Sequence, residues 1–434
     1  MCGHVRRSRI SKCCHSARGA TSGRSYAVGV AGPLDGLLVV DLTRALAGPH
    51  ATMTMGDLGA RVIKVEPPQG DDSRWWGPPF VGPDDAPIST YFLSCNRNKQ
   101  SVTADLRTDD GRWLLTELVR RADVLTENFR SGVLQRLGFG VDDLLELNPR
   151  LVVLSVSGFG HDGPDSARPG YDQIAQGEAG LMSITGEAGA PTRVGVPIAD
   201  LLSGLTGLVG VLAALHERER TGRGQVVRTS LLASVVGAHA FQGTRWTVAG
   251  EVPGPVGNHH PAIAPYGLFH AGSVSIQVAV GNESQWKAFA PLVGLDPDDA
   301  RFATNVDRVA HRDVLTGLIE AVLAEGHVDD WLAQLNAAGV PAGRVRTLDE
   351  VYRWDQTASQ HLLMKVAHPV LGDLTLPGSP LRFESADGAE TTEVSAAAPP
   401  LLGEHNEAVR AWLRGDTADV DAADVDPASR TGPT

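Results

Sequence analysis

The sequence predicts an α/β protein built on a parallel sheet with helices on both faces, followed by a smaller α+β region. Two observations predict this. From Gly36 onward, short strand-like runs alternate with helical ones, the pattern of a sheet wound by crossover helices. After residue 192 the rhythm changes: a strand-like run and a long helix are followed at 251–265 by a loop dense in Pro, Gly and His, then by a strand and separated helices.

The elements follow in order. Residues 37–42, Leu-Leu-Val-Val-Asp-Leu, read as a short buried strand. Residues 49–58 are helical in pattern and stop at Gly59. Residues 61–65 and 100–106 are the next strands. Residues 109–122 form an amphipathic helix with Trp113, Leu114, Leu118 and Val119 on one side. Residues 124–127 and 151–156 are further strands. Residues 193–198 look strand-like, and a long helix is expected from about Asp200 to Arg220, ended by Thr221-Gly222-Arg223-Gly224. Residues 274–280 read as a strand, and helices are expected around 284–293 and 311–324. Short strands and turns fill 341–385.

Composition narrows the function. With 42% hydrophobic and 21% charged residues, the 434-residue chain is ordinary globular protein, long enough for a large and a small domain. No apolar run approaches the ~20 residues of a membrane span. The longest, 201–215, is interrupted by Ser203, Gly204, Thr206, Gly207 and Gly210 and reads as a closely packed core helix, so no membrane partner is expected. The net charge is −13, and setting aside the six basic residues of the first thirty positions takes it to −19. A body this acidic argues against a nucleic-acid partner. The four cysteines form no disulfide framework, which points to a reducing compartment and a cytoplasmic protein. Residues 1–32 are Arg- and Ser-rich without periodicity. They read as a disordered leader, a transit peptide, or an extension from a start codon set too far upstream. Residues 415–434 read as a disordered acidic tail.

Several motifs invite a chemistry that their surroundings do not support. Gly158-Phe159-Gly160-His161-Asp162-Gly163 matches the dinucleotide fingerprint, but Pro164 and a loop follow where a helix should open, so no NAD is expected. Cys13-Cys14-His15 fits no zinc spacing. Adjacent His259 and His260 point opposite ways in an extended segment, so no metal site is expected there either. No nucleophile-elbow context for a serine hydrolase occurs. His239 reads as a core or interface residue.

Asp200 stands where a strand-like segment gives way to a helix. It reads as a helix N-cap. Two features add a chemical reading. Ser203, Gly204 and Gly207 follow and let backbone or ligand come close. A helix N-terminus also offers free N–H groups to oxyanions.

The chain resembles the family III coenzyme A transferases from about residue 32 to 414. The matching stretches are Asp41-Leu42-Thr43-Arg44-Ala45-Leu46-Ala47-Gly48-Pro49, Gly56-Asp57-Leu58-Gly59-Ala60 and Val62-Ile63-Lys64-Val65-Glu66. Then come Asn96-Arg97-Asn98-Lys99, Glu127-Asn128-Phe129, Gly158-Phe159-Gly160, Gly163-Pro164, Gly170-Tyr171-Asp172 with Gln176, Asp200, and Thr221-Gly222-Arg223-Gly224-Gln225. The resemblance implies that Asp200 is a nucleophile that receives the acyl group as a mixed anhydride and then holds CoA as an aspartyl thioester. Coenzyme A or acyl-CoA is then the substrate. The positions it implies for CoA binding are Leu46, Ala47, Trp76, Ala104, Arg107, Asn128, Arg130, Arg136 and Tyr171. Arg44, where formyl-CoA transferase has a histidine, belongs to the same site. Arg107, Arg130 and Arg136 offer an acidic protein the positive charge that a phosphorylated cofactor needs.

The architecture implied by resemblance is a large, doubly wound, Rossmann-like domain made from both ends of the chain (33–225 and 331–414). A small domain with linkers is inserted at 226–330, and two chains interlock as a homodimer. Pro67 replaces an adenine-side arginine, and Gly257-Asn258-His259-His260-Pro261 stands where a glycine-only lid is expected. Trp76-Gly77-Pro78-Pro79-Phe80-Val81-Gly82 and the Asn-Arg-Asn-Lys run look most like the succinate–hydroxymethylglutarate branch, which implies succinyl-CoA as donor and a dicarboxylic acid as acceptor. The nearest alternative is an α-methylacyl-CoA racemase, which needs two bases at the α-carbon. Tyr171 stands where that branch has a histidine, and a tyrosine with a pKa of about 10 is a poor base at neutral pH. A CoA-binding protein without turnover is a second alternative.

Overall fold

The computed structural model describes residues 32–384 and 396–415. The expectations for the leader, with Cys13-Cys14-His15, and for the acidic tail lie outside the described residues. The central sheet has six strands: β1 (Leu38–Asp41), β2 (Arg61–Glu66), β3 (Lys99–Thr103), β4 (Val124–Glu127), β5 (Val152–Ser157) and β6 (Val226–Ser230). All are parallel, in the order β3-β2-β1-β4-β5-β6. The direction of winding reverses between β1 and β4, and in open α/β sheets ligands bind at the carboxyl ends of the strands at that reversal.

Among the helices of the large domain are α1 (Ala47–Asp57), α2 (Asp109–Arg121), α3 (Asp172–Glu178) and α4 (Ile198–Thr221). Successive strand residues point to opposite faces, so each apolar strand feeds two cores. Val39, Val62, Val124 and Val152 face α1 and α4, meeting Ala51, Met55, Leu208 and Val211. Val40, Ile63, Val102, Leu125 and Val153 face α2, meeting Leu114, Leu115, Leu118 and Val119. Helix α2 forms because Thr108 caps Gly111 N–H at 3.1 Å and its termini complement the helix dipole, with Asp109 and Asp110 first and Arg120 and Arg121 last.

Helix α4 begins two residues before Asp200, and residues 192–197 are loop rather than strand. Asp200 is therefore a first-turn residue and not the N-cap. Pro197 occupies the cap position and has no side chain to offer, so Asp172 accepts the Ala199 N–H at 2.8 Å instead. Among the described residues α4 is the one helix long and apolar enough to cross a membrane, with a mean hydropathy of 1.9. Its small residues sit against the protein: a Cβ on Gly204 would stand 2.5 Å from Ala47 O, and one on Gly207 would stand 2.9 Å from Leu154. The close approach foreseen at these residues is thus made by the α1 backbone at Gly204 and by a β5 side chain at Gly207.

The small domain has a three-stranded antiparallel sheet, β7 (Tyr266–Ala271), β8 (Val274–Ala279) and β9 (Ala342–Arg344), backed by helices α5 (Glu283–Phe289) and α6 (Arg312–Leu323). Trp286, Phe289, Phe302 and Ile319 fill its core. Both expected edges of this domain move. Residues 226–230 are the edge strand of the large sheet, paired with β5. Residues 331–344 belong to the small domain, because Leu335 and Val340 complete its core and β9 pairs with β8. The chain then returns to the large domain, where α7 (Asn406–Arg414) docks Val409 and Leu413 against the α2 face.

Candidate active site

The carboxyl edge of the sheet gathers most of the residues picked out by sequence. Just beyond β1, the turn Thr43-Arg44-Ala45 leads into α1. Just beyond β4 stands Asn128. The two segments are stapled across the reversal point: Arg44 N donates to Asn128 Oδ1 at 3.0 Å, and Asn128 Nδ2 donates back to Arg44 O at 2.9 Å. The Arg44 guanidinium lies 5.9 Å from the Phe129 ring centroid and 4.0 Å from Asp72 Oδ2. Leu46 and Ala47, both buried, open α1 beside this staple.

Asp200 reaches the same edge because α4 runs back against the strand direction. The loop after β5 turns where Gly158 and Gly170 touch, so closely that a Cβ on Gly158 would stand 2.8 Å from Gly170 Cα. That contact delivers Asp172 to the start of α4. Gln176 holds Asp172 from one turn away, its Nε2 donating to Asp172 Oδ2 at 2.7 Å, and its own Oε1 accepts Val194 N–H at 2.9 Å. Leu201 packs with Leu46, Met53, Cys95 and Tyr91. Trp76 meets Tyr91 edge-to-face with ring centroids 5.0 Å apart. An apolar wall therefore runs from Trp76 to the Asp200 turn.

This wall sets the electrostatics of Asp200. Burial, followed by the nearby Asp172 carboxylate, pushes its carboxyl up from an ordinary 3.8 to about 7. The free N–H groups of the first turn act the other way. A helix terminus contributes about 0.3–1 kcal/mol, whereas a shift of three units is about 4 kcal/mol, so burial wins. Burial pushes up the Tyr91 hydroxyl too, with Asp200 as the next cause. The result is a carboxyl group that is basic for its kind, largely withdrawn from water yet still partly open to solvent.

A buried charge network lies beneath. Asp41 receives Lys99 Nζ at 3.0 Å and the hydroxyls of Thr43 and Thr52. The two lysines around Asp41, with these hydroxyls, overcome its burial and hold it well below the usual carboxylate range. Lys64 Nζ sits 2.8 Å from Asp71 Oδ2. Arg74 grips Glu66 through two bonds of 2.7 Å and lies 3.7 Å from the Phe92 ring centroid. At the end of β4, Glu127 Oε2 accepts Phe129 N–H at 2.8 Å, which fixes the turn that aims Asn128. Ser155 links Glu127 to His161, and burial raises the pKa of Glu127 and lowers that of His161.

The remaining positions are less tightly joined. Ala104 is buried at the end of β3, on the same edge. Arg107 is exposed and paired with its own neighbour Asp105, so it does not reach the Arg44–Asn128 staple. Arg130 and Arg136 follow β4 as exposed guanidiniums. Tyr171 is 63% exposed before α3. Sequence reading gave no role to Asp172, Tyr91, Lys64 or Asp71. Asp172 sits 27 residues from the N–H it caps, and no local pattern announces that bond.

Comparison with known proteins finds relatives over most of the chain. Residues 34–406 match the model of CoA-transferase family III. The chain is 38% identical to the acetyl-CoA:oxalate CoA-transferase of Acetobacter aceti, covering 87% of this chain and 95% of that one. It is also 38% identical to the succinyl-CoA:glutarate CoA-transferase of Mus musculus, covering 86% and 84%. The crystal structure of a CaiB/BaiF family protein from Brucella suis superposes with a TM-score of 0.78 at 40% identity, covering 88% of this chain and all of the other. An Asp-bearing helix start beside the reversal point of a doubly wound sheet, a family match across most of the chain and relatives of this similarity lead to one conclusion: the protein is an enzyme of CoA-transferase family III.

Proposed function

We propose that the protein moves CoA from succinyl-CoA to a dicarboxylic acid through an aspartyl-CoA thioester on Asp200. The observation that carries this reading is the Asp200 carboxyl, seated in the first turn of α4 and raised to about 7. An Asp200 oxygen attacks the thioester carbonyl and expels the CoA thiolate, leaving a mixed anhydride. The thiolate attacks the Asp200 carbonyl carbon, which releases the donor acid and leaves CoA on the enzyme. The acceptor carboxylate then displaces the thiolate to form a second anhydride. The thiolate returns to the acceptor's acyl carbon and frees Asp200. Each intermediate stays activated, so little thioester energy is lost, provided water is excluded.

The relatives support the choice of acids. The mouse protein's name gives succinyl-CoA and glutarate, the Agrobacterium fabrum protein's gives succinate and glutarate, and the Acetobacter aceti protein's gives oxalate. The Arg44–Asn128 staple, with Leu46, Ala47, Trp76 and Ala104, forms the CoA-binding edge. Arg130 and Arg136 serve the phosphates. A cytoplasmic homodimer completes the proposal: Leu205, Val209 and Leu212 along α4, with Phe241, Trp246 and Val248, leave an apolar surface that a second chain would cover.

The test is to incubate the protein with succinyl-CoA, trap with hydroxylamine or borohydride, and map peptides by mass. A hydroxamate or the corresponding alcohol at Asp200 is expected. No adduct with any acyl-CoA, together with α-proton exchange in deuterated water, would replace the transferase reading with the racemase one.

A further inference from the structure

The turn Thr43-Arg44-Ala45 is held in an unusual way. Most backbone groups in a folded protein bond to other backbone groups. Here all six N–H and C=O groups of three successive residues meet side chains. Thr43 N donates to Asp41 Oδ1 at 2.9 Å, and Thr43 O accepts from Lys64 Nζ at 2.7 Å. Arg44 N and O are both bound by Asn128. Ala45 N donates to Asp71 Oδ1 at 3.2 Å, and Ala45 O accepts from Cys95 Sγ at 3.6 Å. Asp41, Lys64, Asp71 and Cys95 are all buried.

Ala45 has φ of +66°, a left-handed conformation that an alanine adopts only under restraint. With no backbone ladder through the turn, that restraint comes from the side chains. Lys64 and Asp71 act as a pair: Asp71 Oδ2 fixes the Lys64 ammonium, while Asp71 Oδ1 and Lys64 Nζ grip the turn at its two ends.

We propose that Asp71 and Lys64 are positioning residues for acyl-CoA, forcing Ala45 into its left-handed conformation so that Arg44, Leu46 and Ala47 present a preformed binding edge. This rests on the reading that acyl-CoA binds at that edge. The pair touches the turn and not the reacting atoms, so its loss should weaken CoA binding and spare the chemical step.

The experiment compares wild type, Asp71→Ala, and Asp71→Ala combined with Ala45→Gly, with CoA binding measured by calorimetry alongside steady-state kinetics. Asp71→Ala should raise the CoA Kd and the acyl-CoA KM about tenfold. Its kcat should stay within about twofold, with the KM for the acid unchanged. Adding Ala45→Gly should recover most of the loss, because glycine takes a positive φ without being forced. A merely structural role for Asp71 would not be rescued in this way. If Asp71→Ala does not fold, Asp71→Asn, which keeps the side-chain volume and breaks the ion pair, is read by the same comparison. Unchanged CoA affinity in the folded variant, a fall in kcat with KM unchanged, or no rescue by glycine would each overturn the proposal alone. Wild-type protein that binds no CoA would overturn the functional reading and this proposal with it.

Discussion

Replacing Asp200 by Asn should abolish turnover and yet make the protein more stable at alkaline pH. The carboxyl is raised from 3.8 to about 7 in the folded protein. Below 3.8 both folded and unfolded chains carry the proton, and the group has no pH-linked effect. Between 3.8 and about 7 the unfolded chain releases its proton and the folded one keeps it, so stability falls as pH rises. Above about 7 the whole penalty is present. A shift of three units is about 4 kcal/mol, and roughly two-thirds of it develops between pH 5 and pH 8. Asp200 is partly open to solvent, which screens its charge and reduces the expected change to about 1–2 kcal/mol over that range. Asn has the same shape and no charge. Urea denaturation of both proteins at pH 5 and pH 8 therefore isolates the charge, because any difference in hydrogen bonding is common to both pH values. Asp200→Asn should gain about 1–2 kcal/mol relative to wild type on going from pH 5 to pH 8. An equal stability gap at the two pH values would refute the argument, since it would mean that the carboxylate ionises in the folded protein without penalty.

In the proposed mechanism the same carboxyl governs activity in the opposite sense, because only an ionised carboxyl can attack the thioester. The kcat/KM profile should fall on the acid side of about 7, with about a tenth of the enzyme active at pH 6. Asp172→Asn removes the like charge and keeps an oxygen for the Ala199 cap, so this acid limb should move to lower pH; an unmoved limb would exclude Asp172 as a cause. Gly204→Val places side-chain carbons where Ala47 O already stands, which should destabilise the fold by about 1–3 kcal/mol and reduce activity by parting α1 from α4. Unchanged thermal unfolding of Gly204→Val would show that the two helices have room to spare.

Relatives that share the fold need not share acids. The oxalate and glutarate named for similar proteins differ by three methylenes. Discrimination between acids by apolar contacts is worth only about 1–3 kcal/mol per methylene, so screening acceptors of graded length would measure how this protein chooses among them.

Local chemistry made much of this protein legible in one dimension. The short apolar runs gave β1, β2, β4 and β5 nearly to the residue, because burial on both faces enriches such strands in Val, Leu and Ile. The 109–122 helix was readable from its stripe of Leu114, Leu118 and Val119. Local pattern alone made Asp200 a helix N-cap, and it was the resemblance to the family III coenzyme A transferases that marked it as a nucleophile. Other features belong to the tertiary structure. Residues 226–230 pair with β5 after a helix of 24 residues, and an edge strand has no local mark of the sheet it joins. Residues 331–344 close the small domain because its core still needs Leu335 and Val340. The true cap of α4 is Asp172, brought there by two glycines whose backbones touch. The turn at Ala45 is shaped by side chains from β1, β2 and the segments around Asp71, Cys95 and Asn128. Periodicity and propensity are written along the chain. The raised carboxyl of Asp200 and the forced conformation of Ala45 are made by groups that only folding brings within reach.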